Sequence, residues 1–423
     1  MAVHRMILCD LPNELLLMVL EYLSSSAIAT LARVCWHLHD LVNTDSLWSR
    51  LCRQEFGVES LVQWNVSSFQ ELYSRVLFPY RYLLGVWEGD LKYYGELMEA
   101  RVDNGRILGQ LWRASSSQNI DLPLYAEPLF AVEVSDKEVR TVCLYRDMKG
   151  KRATLKKCHS GSTELLEVQF KVMYDFTKTK VDSVSLRSWV REEYPPAFAD
   201  IWENHGFLRQ AFTNRYKSLQ FRQQLVQYRP VALPPSLSSD FPLKPGIYKG
   251  TYSSHGIELI LVTMEGSIVK GQKLTGDPNI PASKVTFQGL LQCPIPPDQY
   301  SSWGAAIFNH RQMLSEIRNQ VDREEQEHSR RTNVESRQLT VTMLNSVPLQ
   351  EHPFSVSLGF SGDLQTYPNV SLARFPSSGQ VAGDGYVNPQ WSLNQLVLFP
   401  SGNFAIVWME LRSVSFYCKA QEL

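Results

Sequence analysis

The stretch Leu11-Pro12-Asn13-Glu14-Leu15-Leu16-Leu17-Met18-Val19-Leu20-Glu21-Tyr22-Leu23 constrains this chain more than any other. Pro12 suits a first helical turn, where its missing N–H removes no hydrogen bond, and Glu14 follows close behind to favour the positive end of the helix dipole. The pattern predicts a short amphipathic helix. Ser24-Ser25-Ser26 breaks it and offers a cap, after which Ile28, Leu31, Ala32, Val34, Cys35, Leu38 and Leu41 recur at helical spacing as a second helix. Thr44 and Asp45 cap a third, which carries Leu47, Trp48, Leu51, Cys52 and Phe56. Helices packed into residues 11–56 have too much surface for their volume to bury every apolar face. Something outside the module must cover the remainder.

Taken together, Leu11-Pro12-x-Glu14-Leu15, the spaced leucines, Val34-Cys35 and Leu47-Trp48 resemble the F-box, the helical module that docks on the Skp adaptor of cullin-based SCF ubiquitin ligases. The resemblance covers residues 8–56. It implies that Leu11, Pro12, Leu15, Leu16, Leu20, Val34 and Trp48 lie partly at an interface with that adaptor, and through it with the cullin and RING subunits.

Composition narrows the rest. Hydrophobic residues are 44% of the 423 and charged residues 20%, which excludes a mainly disordered or fibrous chain. The length allows roughly two or three folded units. With 42 Lys+Arg against 43 Asp+Glu the net charge is −1, without the basic excess of a nucleic-acid binder, so no nucleic-acid partner is expected. The seven cysteines, Cys9, Cys35, Cys52, Cys143, Cys158, Cys293 and Cys418, are odd in number and scattered, which reads as a reducing compartment, cytoplasmic and/or nuclear. Met1–Asp10 reaches an acidic residue, with Pro12 close behind, before a signal-type apolar run develops. No run of about eighteen apolar residues offers a membrane span. Neither a signal peptide nor a membrane partner is expected.

Beyond the F-box, Ser67–Val76 has helical spacing and closes a connector over residues 57–80. Tyr82–Trp87, Ile107–Trp112, Leu129–Val134 and Val139–Tyr145 mix β-branched and aromatic residues between Gly, Asp and Asn turn signals, the pattern of antiparallel strands. Val184–Tyr216 reads as a helical interruption broken at Pro195-Pro196, and Pro230–Asp240 as a linker. Met313, Leu314, Ile317 and Val321 mark a helix that runs on into the charged stretch Asp322–Arg331. Strands are expected again at Leu339–Leu344, Phe354–Phe360, Val370–Phe375, Leu396–Phe399 and, as one long stave, Phe404–Tyr417. Gly85, Gly89, Gly95 and Gly105 have the same separations as Gly246, Gly250, Gly256 and Gly266. That spacing suggests an internal repeat over 81–229 and 241–423, against the alternative that any meander places glycines at comparable turns.

Gly250-Thr-Tyr-x-Ser-His-Gly256, Thr275-Gly-Asp-Pro-Asn-Ile-Pro-Ala282 and Val407-Trp-x-Glu-Leu-x-Ser413 resemble the substrate-binding domain of the F-box only protein 31 family. Tyr80-Arg81-x-x-Leu84-Gly85-x-Trp87 and Trp189-Val-Arg-Glu-Glu193 extend the resemblance over most of the chain, which reads as a shorter relative. The implied architecture is α+β: a three-helix F-box, then a mainly antiparallel, β-barrel-like substrate-binding domain over 81–423 with a few helices. The implied role is substrate recognition in an SCF ubiquitin ligase. Target proteins, cyclins among them, would be held by a C-terminal peptide for ubiquitination and degradation, with catalysis supplied by other subunits. A lipocalin-like barrel for a small apolar ligand, suggested by Gly-x-Trp near the first strand, and a non-degradative F-box scaffold are the rival readings.

Tyr252, Ser254, His255, Asp277, Asn279 and Trp408 all fall in the shared motifs and are the candidate substrate-binding residues. If the barrel closes, their segments can meet at one rim as an aromatic wall with a few convergent polar groups. By composition alone, Gly276-Asp277-Pro278-Asn279 is a turn. Cys143, Cys158 and His159 lie where the family carries a Cys and His metal site, but the remaining ligand positions fall near Lys151 and Glu164, so neither metal nor cofactor is expected. Ser254 and His255 beside Asp277 do not make a hydrolase, because adjacent residues on a strand point to opposite faces. No nucleophile elbow, phosphate loop or dinucleotide fingerprint occurs, so the chain is not expected to be an enzyme.

Overall fold

The computed structural model describes residues 11–114, 119–145, 152–160, 163–170, 183–193, 225–252, 255–300, 307–328, 333–356 and 368–423. The chain divides into two compact units. One comprises Met1–Val86, Met98–Leu111 and Glu127–Val172, and the other Trp87–Leu97, Trp112–Ala126 and Met173–Leu423.

The first unit opens with four short helices, α1 (Asn13–Leu20), α2 (Ser25–Leu31), α3 (Trp36–Val42) and α4 (Asp45–Phe56). The expected second helix is therefore two. It stops at Leu31, and Cys35 restarts it from an extended conformation that leaves Val34 exposed at the corner. Ser24 caps α2 by accepting the Ala27 N–H, and Gly57, at φ +69°, ends α4 in the left-handed conformation with its N–H on the Arg53 carbonyl and the following Val58 N–H on the Cys52 carbonyl. Leu16, Leu20, Ile28, Leu38, Leu41, Leu47 and Trp48 form the buried face. Trp48 is further fixed by donating its indole N–H to the Val42 carbonyl at 2.7 Å. The connector follows as α5 (Phe69–Leu72), a π-turn over Tyr73–Leu77 and α6 (Phe78–Tyr80). It is tied back where Asp45 Oδ1 accepts the Phe69 N–H at 2.8 Å and Tyr73 packs 5.1 Å from the Trp48 ring. The chain then runs through β1 (Gly85–Gly89), β2 (Glu96–Asp103) and β3 (Arg106–Arg113), and within the first unit β4 (Tyr125–Ser135) pairs with β5 (Glu138–Cys143) and β6 (Ala153–Ser160) with β7 (Thr163–Phe170), both antiparallel.

In the second unit β1 (Gly85–Gly89) pairs with β8 (Leu225–Pro230) through Trp87–Gly89, and α7 spans Ser183–Glu193. Its main body is a closed barrel of eight antiparallel strands. These are β9 (Gly246–Thr251), β10 (Ile257–Glu265), β11 (Ile268–Lys273), β12 (Val285–Leu290), β15 (Ala373–Gly383), β16 (Val387–Leu398), β17 (Phe404–Trp408) and β18 (Ser413–Lys419), with β18 closing onto β9. Between β12 and β15 the chain inserts α8 (Ile307–His328), α9 (Asn333–Asn345) and a short pair, β13 (His352–Pro353) with β14 (Val370–Ser371). Ile317 and Val321 of α8 pack on Ile268, Leu290 and Leu393 of the barrel wall.

Glycines make room for the barrel interior. Tyr417 lies over Gly250, Phe287 over Gly271 and Trp408 over Gly379, each so close that a Cβ on the glycine would collide with the ring. The rings can then stack across the lumen, Phe404 on Tyr417 at 4.5 Å and nearly parallel, with Phe287 edge-on to both. Gly85, Gly95 and Gly105 have positive φ, as do Gly246, Gly256 and Gly266. Gly89 sits opposite Tyr228 as Gly250 sits opposite Tyr417.

Two further expectations are corrected. Leu339–Leu344, expected as a strand for its β-branched run, lies in α9: Thr340 and Leu344 are buried four residues apart on one helical face, and Thr340 Oγ1 accepts the Gly266 N–H at 2.9 Å. Tertiary packing outweighs a β-propensity spanning only about 1 kcal/mol. Phe404–Tyr417 is a hairpin rather than one stave, because the chain turns after Trp408 and Arg412 takes a positive φ. Of the expected strand Phe354–Phe360, Phe354–Val356 lie outside any strand and the rest falls outside the described residues, as does the expected helix beyond Glu193.

The ring-over-glycine contacts give a test. Gly271→Ala should destabilise the barrel by about 1–3 kcal/mol through overpacking against Phe287. Adding Phe287→Leu should restore part of that loss, since the two changes share one contact. Denaturant midpoints of both single variants and the double variant check this, and strictly additive effects would contradict it.

Candidate functional site

Antiparallel strands run alternately, so the C-terminal ends of β9, β11, β15 and β17 and the N-terminal ends of β10, β12, β16 and β18 share one end of the barrel. Tyr252 and His255 follow β9, Asp277 and Asn279 follow β11, and Trp408 ends β17, so the described candidate residues all stand at that end. Ser254 lies outside the described residues. The opposite end is apolar, filled by Phe241, Leu243, Leu291 and Leu344.

The arrangement at the polar end centres on a residue the sequence reading did not single out. Lys273, only 1% exposed, donates from Nζ to Asp277 Oδ2 at 2.6 Å and stands 2.6 Å from Glu258 Oε2. The Tyr252 ring lies 4.1 Å from the same nitrogen, placing its negative face against the cation. Tyr252 in turn receives a hydrogen bond from the Tyr417 hydroxyl at 2.8 Å and lies 3.2 Å from Thr286 Oγ1. Alternation explains why these groups meet: Tyr248, Ile260 and Val269 point into the barrel core, so Tyr252, Glu258 and Lys273, at even offsets from them, point inward as well. Charged residues at inward positions of otherwise apolar strands were the available signal.

Two carboxylates around one ammonium cannot all be ionised cheaply in a buried site. Burial pushes the Glu258 carboxyl well above its ordinary range, Lys273 pulls it back only in part, and the Asp277 charge raises it further. For Asp277 burial is outweighed by Lys273 and His255, which hold the carboxyl well below the usual carboxylate range. Burial would lower Lys273, but Glu258 and Asp277 overcome it and its pKa is raised. The three shifts thus run apart, Lys273 and Asp277 toward their charged forms and Glu258 toward its protonated form.

Asp277 is accordingly not a free carboxylate awaiting a ligand. Its Oδ1 accepts the N–H groups of Asn279 at 2.6 Å and Ile280 at 3.0 Å, closing the turn that composition suggests, while Oδ2 is engaged by Lys273. Asn279 donates from Nδ2 to the Ala382 carbonyl at 2.9 Å and ties the loop to the β15–β16 hairpin. Trp408 faces the lumen and donates its indole N–H to Ser415 Oγ at 3.1 Å. Two further turns adjoin the Asp277 loop. Gly276 and Ala282 donate to the Tyr94 and Tyr93 carbonyls, and Tyr386 donates to the Pro278 carbonyl, each at 2.8 Å. Tyr93 and Tyr386 both hold positive φ, 65° and 62°, a conformation that costs a non-glycine residue about 1–2 kcal/mol.

At the N-terminal module the seven expected adaptor residues separate into two groups. Pro12, Leu15 and Val34 are exposed and Leu11 is partly so, but Leu16, Leu20 and Trp48 are 1%, 2% and 7% exposed and form the module's own core. Helical periodicity puts Leu16 and Leu20 four apart on the inward stripe, leaving Leu15, Met18, Val19 and Tyr22 outside, with Trp36 exposed on α3. Cys143 is buried, and His159 is an exposed residue within 4.0 Å of Glu164. Among the described residues no group of His, Cys, Asp and Glu side chains could hold a metal ion, and no helix is long and apolar enough to cross a membrane.

The upward shift of Glu258 makes a measurable claim. A carboxyl protonated in the folded state and ionised in the unfolded one favours folding below its unfolded pKa, and that contribution is lost as pH rises toward the folded value, by about 1.4 kcal/mol per pH unit. Glu258→Gln cannot ionise, so its stability relative to the wild type should improve as pH rises from about 5 to 8. Unfolding midpoints of the two proteins across that range decide it, and a pH-independent difference would mean that Glu258 is charged.

Residues 228–422 match a family described as Cyclin D1 binding domain, and residues 8–54 a family described as F-box-like. F-box only protein 31 of Mus musculus is 30% identical over 458 residues, covering 99% of this chain and 85% of the mouse protein. The protein of the same name from Homo sapiens is 29% identical, covering 99% and 84%. F-box only protein 31-A of Xenopus laevis is 27% identical, covering 99% and 85%. With its F-box-like helices ahead of the barrel, the chain belongs to the F-box only protein 31 family.

Proposed function

We propose that this chain is the substrate-recognition subunit of an SCF ubiquitin ligase. Its α1–α3 surface would bind the Skp adaptor, and through it the cullin and RING subunits. Its barrel would hold a target protein by a C-terminal peptide for ubiquitination and proteasomal degradation. Bond formation would lie with the other subunits, and the chain itself would be non-catalytic, acting in the cytoplasm or nucleus. The match to a cyclin D1 binding domain makes cyclins the first targets to test.

The observation that carries this reading is the contrast between the two barrel ends. One is filled with apolar side chains, while the other brings the family's motif residues together around a buried ion pair. Stacked aromatic rings fill the lumen between them, which favours a ligand held at the polar rim over a small apolar ligand enclosed within. The exposed apolar face formed by Leu15, Met18, Val19, Tyr22 and Trp36 supports the adaptor half of the proposal, since faces of that kind mark protein contacts. Leu16, Leu20 and Trp48 would then serve binding indirectly, by holding that face in shape.

Two experiments test it. Leu15→Asp with Met18→Asp places charge on the exposed face without touching the core. The pair should weaken co-purification with the Skp adaptor by roughly 30-fold or more, a loss of about 2 kcal/mol, while the barrel's unfolding midpoint stays unchanged. Undiminished adaptor binding would remove the F-box role. For the barrel, arrays of peptides with free and amidated C-termini should show end-dependent binding that Lys273→Met abolishes. Because Lys273→Met leaves a buried carboxylate unpaired and should cost about 3–5 kcal/mol, binding is read at a temperature where circular dichroism shows the variant folded. Peptide binding indifferent to the chain end would refute C-terminal recognition.

A further inference from the structure

The two turns that flank the Asp277 loop carry a feature the buried cluster does not use. Tyr93 and Tyr386, both at positive φ, stand at the tips of their turns, and their backbones are pinned to the same loop through Ala282 and Pro278. The turns adjoin each other, the Tyr93 hydroxyl lying 3.8 Å from where a Cβ on Gly385 would be. Both rings are partly exposed, and each has an exposed lysine against it: Lys92 4.9 Å from the Tyr93 ring and Lys284 5.3 Å from the Tyr386 ring. Among the described residues neither lysine has a carboxylate partner, whereas Lys270 and Lys273 elsewhere on the barrel are both ion-paired. Two tyrosines at positive φ at one rim, each with an exposed lysine beside its ring, form a ledge beside the loop.

We infer that this ledge receives the target segment just upstream of its bound C-terminal end, and that this segment carries an acidic side chain seated between Lys92 and Lys284. The inference rests on the C-terminal reading proposed above and adds a substrate class to it. The loop is tied to the 90–95 turn on one side and to the β15–β16 hairpin on the other, so the ledge lies beside any chain held at the loop. Tyrosine faces provide contact area at low cost in side-chain freedom, and the ammonium groups beside them favour an acidic side chain. Asp384 shares the hairpin tip, so the rim is not uniformly basic, and the selectivity comes from the two lysines placed by their rings.

Charge reversal tests this. The probe is the tightest-binding peptide from the free and amidated array, synthesised with Glu, Gln or Lys at each of the positions four to eight residues before its end. With the wild-type chain, Glu should bind about three- to tenfold more tightly than Lys at one or two of those positions, the difference shrinking as salt is raised. In Lys92→Glu with Lys284→Glu the order should invert, with Lys now preferred, while the unfolding midpoint and the dependence on the chain end stay as in the wild type. An unchanged rank order with end dependence intact would overturn the ledge and leave the C-terminal reading standing. Absence of end-dependent binding in the wild type would take down both. A shift in oligomeric state on charge reversal, without a change in peptide preference, would make the rim a contact between copies of this chain and refute the inference.

Discussion

Closure of the barrel depends on rings lying over glycines. Strand β18 reaches β9 in the register that sets Tyr417 opposite Gly250, and a side chain at Gly250 would collide with that ring. The same device recurs at Gly271 beneath Phe287 and at Gly379 beneath Trp408. An eight-stranded barrel has an interior just wide enough for side chains to fill, so large rings must be matched by absent ones across the wall. Because the rings occupy the lumen, the barrel's chemistry is confined to its ends, and the buried ion pair lies at the end that carries the motif residues.

The buried cluster follows from that confinement. Lys273 and Glu258 occupy inward positions where the ring layer stops, and Asp277 reaches back from the loop that follows β11. A buried ion pair is weak evidence for stability, since its desolvation cost is comparable to its attraction. Its value here is in fixing geometry. One ammonium orients a carboxylate whose other oxygen closes the turn at Asn279 and Ile280, and Asn279 in turn holds the β15–β16 hairpin. The rim is built outward from the core through a series of single, directed contacts.

How far the sequence discloses this differs by element. The helical module is legible because its leucines repeat at 3.6-residue spacing, but the pattern does not separate Leu15, which faces out, from Leu16 and Leu20, which face in, until the helix packs. The barrel strands are legible from period-two alternation, and the antiparallel order brings the motif residues after β9, β11 and β17 to one end, as the reading expects of a closed barrel. Leu339–Leu344 misleads because a β-branched run carries less free energy than burial of Thr340 and Leu344 on one helical face. Lys273 and Glu258 escape notice because each is unremarkable alone. Their meaning depends on strand register, which places them within 2.6 Å across β10 and β11 and is set by closure rather than by local pattern.

The backbone at the rim shows where conformational strain has been tolerated. Tyr93 and Tyr386 are bulky residues in a conformation that glycine, asparagine and aspartate adopt far more readily, and in both cases the turn is held by a hydrogen bond to the loop that Asp277 organises. Strain of this kind persists only where surrounding contacts over-determine the backbone, and it clusters at sites that must present side chains in fixed directions. The buried ion pair supplies that rigidity from below, and the tyrosines use it above. The upward shift of the Glu258 carboxyl belongs to the same design, because an additional buried charge beside Asp277 would compete for Lys273, which anchors the loop.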